Sequence, residues 1–176
     1  MINPTKLDYD RAIRGYVKLA TGLAYVIPGN DNSPAPEVPY ASALSINDVK
    51  QGFTYGQHRF DSIDDKVIVN SRSNQRVTYS IQIYRAENAL ELARLLTLYA
   101  ATPTGQYYLE KNKLVLTNWS IIRNLDKVIQ DKEYERRASV DLTFSLVASI
   151  QETINRIAEV NIELNTSAGK ETLNVN

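Results

Sequence analysis

The sequence predicts an α+β fold in which a mainly antiparallel β-sheet packs against two α-helices in two layers. Apolar and polar residues alternate along 137–146 and along 76–83, as in strands that bury one face. Two other segments, 8–21 and 86–101, have apolar residues at helical spacing. The strand segments follow one another at short intervals, which favours antiparallel pairing with the helices on one side.

The length of the chain is that of one domain. Chains of roughly 150 residues bury about 68–70% of their unfolded surface, so 176 residues are enough for a substantial core. The last twelve residues, NTSAGKETLNVN, contain little that would bury. We therefore predict a single domain over residues 1–164 and a flexible C-terminal tail over residues 165–176.

The first predicted helix begins near the N-terminus. Thr5 and Asp8 have the spacing of a capping box, and Gly22 lies where a helix often ends. Between them, an apolar stripe recurs at i, i+3, i+4 and i+7: Ile13, Tyr16, Val17 and Ala20. These residues predict a helix with one face in the core.

The second predicted helix, Ala86 to Ala101, consists mainly of strong helix formers. Pro103 and Gly105 are predicted to stop it. Its core stripe is Ala89, Leu92, Ala93, Leu96 and Ala100. Tyr107 to Leu109 is a candidate for one further helical turn.

Several shorter strands precede and follow the second helix. Ala24 to Ile27 is a short strand before a loop rich in Pro, Gly and Asn, and Pro39 to Val49 resumes a strand pattern. Residues 66–84 predict a β-hairpin whose loop is Ser71 to Asn74. Leu114 to Ile122 predicts another strand.

The longest strand signal begins at Arg137. Its apolar side is Ala138, Val140, Leu142, Phe144 and Leu146, and its polar side is Arg137, Ser139, Asp141, Thr143 and Ser145. We expect a bend or bulge at 149–153 and a final strand ending at Leu164. Nine charged residues between Arg123 and Arg137 predict a solvated connection or a polar contact surface.

Composition argues against most chemical functions. The formal net charge is zero, so no global basic field is present to hold a phosphate backbone or an anionic membrane surface. The chain has no cysteine and one histidine, His58, which has no metal-binding motif around it. Asp61, Asp64 and Asp65 lack the spacing of a calcium loop. We predict no catalytic, cofactor-binding or metal site, and no membrane segment or signal peptide.

The tyrosines leave two interpretations open. Eleven tyrosines accompany only three phenylalanines and one tryptophan. Tyrosine is enriched where one end of a side chain is buried and the other meets a polar partner, as in subunit interfaces. Ordinary half-buried positions in a sheet explain the same composition.

Three segments together resemble the phage neck proteins of the tail terminator, or tail completion, class. They are the Pro-rich loop and strand Pro34 to Ala41, the strand YERRASVDLTF at Tyr134 to Phe144, and the ending ETINRIAEVNI at Glu152 to Ile162. The resemblance extends over roughly Asp8 to Leu164, and none of its elements is a catalytic signature.

This resemblance implies a structural virion protein, not an enzyme. It implies a ring of six copies that caps the tail tube, ends tail polymerisation and joins the tail to the head connector or stopper protein. The implied partners are the tube protein, the connector and, in a contractile tail, the sheath protein, with DNA only as passing cargo. The implied location is the tail neck of a virion assembled in the host cytoplasm. A different non-enzymatic head-completion or baseplate component is the alternative.

A closed ring needs two different contact surfaces on each subunit. The candidates are the polar sides of two strands and the charged segment before the second one: Arg76, Thr78, Ser80 and Gln82, then Arg136, Arg137, Ser139, Asp141, Thr143 and Ser145. The acidic group Asp61, Asp64 and Asp65 is a candidate for a channel-facing loop.

Overall fold

The structure, a computed structural model, describes the backbone of residues 6–30, 34–61, 66–129, 133–155, 160–166 and 169–175. Side-chain surroundings are described for residues 9–30, 34–56, 67–127 and 134–147. The helices and strands follow in chain order: α1 (Lys6–Thr21), β1 (Tyr25–Pro28), β2 (Tyr40–Asp61), β3 (Lys66–Tyr84), α2 (Ala89–Tyr99), α3 (Pro103–Lys111), β4 (Leu114–Trp119), β5 (Arg123–Asn124), β6 (Lys127–Ile129), β7 (Glu133–Glu135), β8 (Arg137–Asn155), β9 (Val160–Thr166) and β10 (Gly169–Val175).

The main sheet has the strand order β1-β2-β3-β8-β4, and β5 also pairs with β8. Strand β1 is parallel to β2, with Tyr25 opposite Tyr40. Strands β4 and β5 are antiparallel to β8, and the β4 register shifts between Leu116 and Asn118. Two further antiparallel pairs, β6–β7 and β9–β10, complete the strand pairings of the described residues. The predicted α+β class is confirmed, and the short strand predicted at Ala24 to Ile27 corresponds to β1, whose parallel pairing with β2 was not predicted.

The core lies between one face of the main sheet and the helices. The alternation along β8 is confirmed, because Ala138, Val140, Leu142, Phe144 and Leu146 are all buried. The opposing residues of β3 are buried in the same cluster: Val77, Tyr79, Ile81 and Ile83. The predicted helical stripes supply the other side of this cluster, from Ile13, Tyr16 and Val17 in α1 and Leu92, Ala93 and Leu96 in α2.

Tyr16 joins three elements of this core. Its ring meets Phe144 of β8 edge to face, with centroids 6.0 Å apart, and lies 5.7 Å from the ring of Tyr99 at the end of α2. Its hydroxyl donates a hydrogen bond to the backbone carbonyl of Leu96. Burial raises the pKa of the Tyr16 hydroxyl well above its ordinary value. The buried Tyr16 hydroxyl thus has a hydrogen-bond partner inside an otherwise apolar core.

The predicted helix ends are largely confirmed. Gly22 has φ +71°, and its N–H donates to the Lys18 carbonyl at 2.9 Å, as in a helix that closes on a left-handed residue. Thr5 of the predicted capping box lies outside the described residues. Pro103 has a double role that we did not predict: α2 ends before it, and it opens α3, where Thr102 Oγ1 accepts from the Gly105 N–H at 3.1 Å.

One detail of the predicted strands is wrong. Ser71 to Asn74 is not a hairpin loop, because β3 is continuous from Lys66 to Tyr84. The polar composition of this stretch resembles a turn, but strand pairing outweighs local preference. The expected bend or bulge at 149–153 does not interrupt the strand, since β8 runs from Arg137 to Asn155. Strand β2 is longer than predicted and includes Gly52, at φ +71°, within it.

The chain divides into two compact units. The first comprises Met1–Thr54 and Ser73–Ala148, and the second Tyr55–Arg72 and Ser149–Asn176. In the second, β9 and β10 pair in a register that sets Val160 opposite Val175 and Ile162 opposite Leu173. Residues 169–175 of the predicted tail thus have strand backbone. A single domain over residues 1–164 stays a prediction.

Candidate interaction surface

The side of the main sheet away from the core is lined by polar residues. Strands β3 and β8 are neighbours, so their outward side chains share this side, which we call the polar face. It consists of Arg76, Thr78, Ser80, Gln82 and Tyr84 from β3, and Arg137, Ser139, Asp141, Thr143 and Ser145 from β8. The hydroxyl oxygens of Thr78 and Thr143 lie 3.1 Å apart in a hydrogen bond that joins the two strands. Nine of the ten predicted interface residues therefore lie on one surface.

Most of these side chains are half-buried by their neighbours in the sheet. Arg76 is exposed, whereas Ser139 is only 2% exposed. The face therefore offers hydroxyl and amide groups that are partly packed by their neighbours. Such groups can exchange hydrogen bonds with another protein surface at a low cost in side-chain entropy.

A row of tyrosines crosses the polar face at one end. The register places Tyr25 of β1 beside Tyr40 of β2, and the Tyr40 ring stacks on Tyr84 of β3 with centroids 4.6 Å apart and planes 6° apart. The guanidinium carbon of Arg137 lies 4.4 Å from the centroid of the Tyr84 ring, a cation–π geometry. Burial, followed by the neighbouring Tyr84, raises the pKa of Tyr40. Ring contacts therefore link the three adjacent strands β2, β3 and β8.

Glu135 fixes the same end of the face with an ion-pair network. Its carboxylate lies 3.1 Å from Arg85 Nε and 3.0 Å from Arg137 Nε, and its side chain is only 9% exposed. Arg85 also donates to the backbone carbonyl of Pro36 in the Pro-rich loop. One buried carboxylate thus orients two guanidinium groups, of which one anchors the loop and the other covers Tyr84.

Asp141 connects the polar face to the edge of the sheet. One carboxylate oxygen pairs with Arg123 Nη2 at 2.9 Å, and Arg123 itself lies opposite Ser139 in register. The backbone N–H of Asp141 donates to Ser120 Oγ at 2.9 Å, and its carbonyl accepts from the Ser120 N–H. These bonds hold the irregular segment between β4 and β5 against β8.

Arg136 is the exception among the predicted residues. It pairs with Asp126 at 3.2 Å and lines a cavity of about 300 Å³ beside the start of α2, together with Glu87, Asn88, Glu91 and Arg94. A hydrogen bond from the Arg137 N–H is the main cause of the lowered pKa of Asp126. Arg136 thus belongs to a separate charged cluster that contains acids as well as bases.

Most of the predicted acidic loop lies outside the described residues. Asp64 and Asp65 lie outside the described residues, and Asp61 ends β2 with its side chain undescribed. Among the side chains that are described, no three histidine or acidic residues converge as a metal site would require. Within the described helices, none is long and apolar enough to cross a membrane.

Sequence reasoning missed the aromatic and arginine part of this surface. Tyr84 continues the alternation of Gln82, so its place on the polar face was available from the pattern. The alternation could not place Tyr25, Tyr40 and Arg123 on this face, because they reach it only through strand pairings between segments that are remote in sequence. Tyr16 and Tyr79 lie in the core, while Tyr25, Tyr40 and Tyr84 form the row. A role of the row in a subunit interface stays a prediction.

Comparison of the chain with known proteins shows which family it belongs to. Residues 8–167 match the model of the family described as phage neck terminator protein. No curated protein matches the chain. Among solved structures, the chain is similar to the sheath/tube terminator of PVC, an extracellular contractile injection system, determined by cryo-EM in the extended state. The two chains are 9% identical in sequence, and their structures superpose with a TM-score of 0.46. That similarity covers 95% of this chain and 65% of the injection-system chain. By its family match over residues 8–167, the chain belongs to the phage neck terminator family.

Proposed function

We propose that this chain is a non-enzymatic structural protein that forms a closed ring of six copies on the last ring of a phage tail tube. There it stops further addition of tube protein and presents a surface to the head connector. The observation that carries this proposal is the family match, which extends over 160 of the 176 residues, from 8 to 167. The proposed location is the tail neck of a virion that assembles in the host cytoplasm.

The polar face supports an assembly role. A subunit in a ring contacts each neighbour with a different patch, so it needs ordered surface beyond what its own core requires. The polar face is such a surface, since its hydroxyls are packed and aligned by Thr78 and Thr143. We propose that Arg76, Thr78, Ser80, Gln82, Arg137, Ser139, Asp141, Thr143 and Ser145 contact a neighbouring copy or the tube. Arg136 would contribute to a second contact through its own charged cluster.

The remaining partners follow from the same role. The tube protein would bind one side of the ring and the connector or stopper protein the other. The sheath protein would be a third partner in a contractile tail. DNA would pass through the ring without being read, and Asp61, Asp64 and Asp65 are proposed to face that channel, since acidic walls do not retain a polyanion.

A tube-length experiment tests this function. Purified tube protein would polymerise with and without this chain, and tube lengths would be measured by negative-stain microscopy. We expect shorter tubes with this chain bound at one end, at a ratio of one ring per tube. Tubes of unchanged length with no bound chain would contradict the proposal. A chain that binds along the whole tube would instead favour another tail component.

A further inference from the structure

The Pro-rich connection between β1 and β2 is fastened to the sheet by one side chain. Residues 34–39 (PAPEVP) lie outside the helices and strands, and all but Pro36 are exposed. Arg85 donates a hydrogen bond to the backbone carbonyl of Pro36. Apart from the strand pairing that starts at Tyr40, no other hydrogen bond or ion pair within the described residues ties this segment to the rest of the subunit. We call residues 34–39 the strap.

The backbone of Arg85 is strained where it holds the strap. Its φ is +59°, in the left-handed region that arginine rarely adopts. Its N–H donates to the Arg136 carbonyl at 2.9 Å, and its side chain bonds Glu135 and Pro36. A strained backbone of this kind persists only where its surroundings fix it. Loss of the two side-chain contacts would let the backbone relax, so the strain favours an open strap.

Glu135 has a second cation that stays in place if Arg85 leaves. Its carboxylate lies 3.1 Å from Arg85 Nε through one oxygen and 3.0 Å from Arg137 Nε through the other, and its side chain is only 9% exposed. A buried carboxylate that loses its only cation is strongly destabilised. Because Arg137 is also held over the Tyr84 ring, it remains beside Glu135 when Arg85 departs. The second arginine thus lowers the free-energy cost of opening the strap.

We propose that the strap opens and closes on the folded subunit, with Arg85 as a clasp that releases Pro36 and Glu135 in the same step. Arg137 is a positioning residue in this device, because it keeps Glu135 paired in the open state. A partner carboxylate that engaged Arg137 would draw it away from Glu135 and lock the strap closed. This last consequence rests on the proposed function, in which Arg137 is a contact residue, whereas the strap itself does not.

Cleavage after Glu37 by a Glu-specific protease measures the opening of the strap in the full chain. Glu37 is exposed within the strap, but a protease must draw several consecutive residues away from the surface before it can cut. When opening and closing are fast relative to cleavage, the cleavage rate follows the population of the open form. Mass spectrometry of the fragment 1–37 distinguishes this cut from cuts at other glutamates.

Arg85→Asn removes the clasp and keeps the subunit folded. Asparagine adopts a left-handed backbone more readily than arginine, so the turn at this position should be retained and the circular dichroism spectrum unchanged. We expect the cut after Glu37 to be at least about tenfold faster than in the natural chain, because a charge-assisted hydrogen bond to the strap is lost. An unchanged cleavage rate in this variant would overturn the role of Arg85 as the clasp.

Two charge variants distinguish this device from a loop that any nearby substitution would loosen. Glu135→Gln weakens the hold on Arg85 and should speed the cut. Arg137→Gln should instead slow it, because the departure of Arg85 would then leave a buried carboxylate with no cation. Arg123→Gln is the matched control, since it breaks an ion pair with Asp141 elsewhere on the same sheet and should not change the rate.

The direction of the Arg137→Gln effect decides the proposal. A cut slower than in the natural chain, together with a faster cut in Glu135→Gln, would support the clasp and its second cation. A cut as fast as in the natural chain, or faster, would overturn the proposal. These assays use the free subunit, so a failure to form rings would overturn the proposed function and leave their result unaffected.

Discussion

The hydroxyl oxygens of Thr78 and Thr143 lie 3.1 Å apart, although 65 residues separate them in the chain. This hydrogen bond joins the neighbouring strands β3 and β8 on the side of the main sheet away from the helices. It shows that the polar sides of β3 and β8 form one continuous surface.

Replacing these threonines with valine removes the hydrogen bond between them but keeps the branched shape of each side chain. Thr78→Val or Thr143→Val leaves one hydroxyl without its partner and should lower the free energy of unfolding by about 0.5–1.5 kcal/mol. The double variant should lose less than the sum of the two, because both partners are then removed together. Chemical denaturation of the four proteins measures the coupling. Strictly additive losses would mean that the bond contributes nothing.

A bulky side chain on the polar face should block assembly without unfolding the subunit. Ser145 is half-buried on β8 opposite Val115, which is exposed, so Ser145→Tyr has room to extend outward. We expect a normal circular dichroism spectrum and a loss of ring formation. Leu98→Tyr on α2 is the control and should assemble. If Ser145→Tyr unfolds the protein, this face is internal, and if the variant assembles, the face is not a contact.

Stability should fall in alkali because of the buried phenol of Tyr16. The folded pKa is raised above the ordinary value of 10.0, first by burial. The unfolded chain therefore loses its proton first, and the contribution of this group, complete below pH 10, is lost as pH rises beyond it. Tyr16→Phe should cost about 0.5–1.5 kcal/mol at neutral pH through the lost bond to Leu96 and make the alkaline decline less steep. Unfolding curves from pH 8 to 11 measure both effects, and an unchanged alkaline slope would exclude Tyr16 as a source.

Gly105 should not tolerate alanine. A Cβ at this position in the first turn of α3 would collide with the backbone carbonyl oxygen of Tyr99. Because the obstacle is backbone, the helix would have to move, and we expect Gly105→Ala to lose about 1–3 kcal/mol of unfolding free energy. Gln106→Ala, at the exposed next position, should be nearly neutral. Thermal unfolding compares the two, and equal stability would mean that α3 can shift without cost.

The elements with a strong hydrophobic periodicity were predicted correctly from the sequence. The alternation along 138–146 and the stripe of α1 identified the core because burial on one face dictates both patterns. Residues 71–74 were misread because Ser, Arg and Asn are polar on both sides of the strand, so their pairing depends on neighbours remote in sequence. The tyrosine row was hidden for the same reason: it exists only once β1, β2 and β3 lie side by side. Arg136 follows the charged pattern but pairs with Asp126 instead of joining the polar face.

The most direct test of the central claim is an end-on image average of tube ends carrying this chain. We predict a closed ring of six copies at one end of each tube, with an open channel through its centre. Ends that carry single copies, an open helical extension of this chain, or no added density would contradict it.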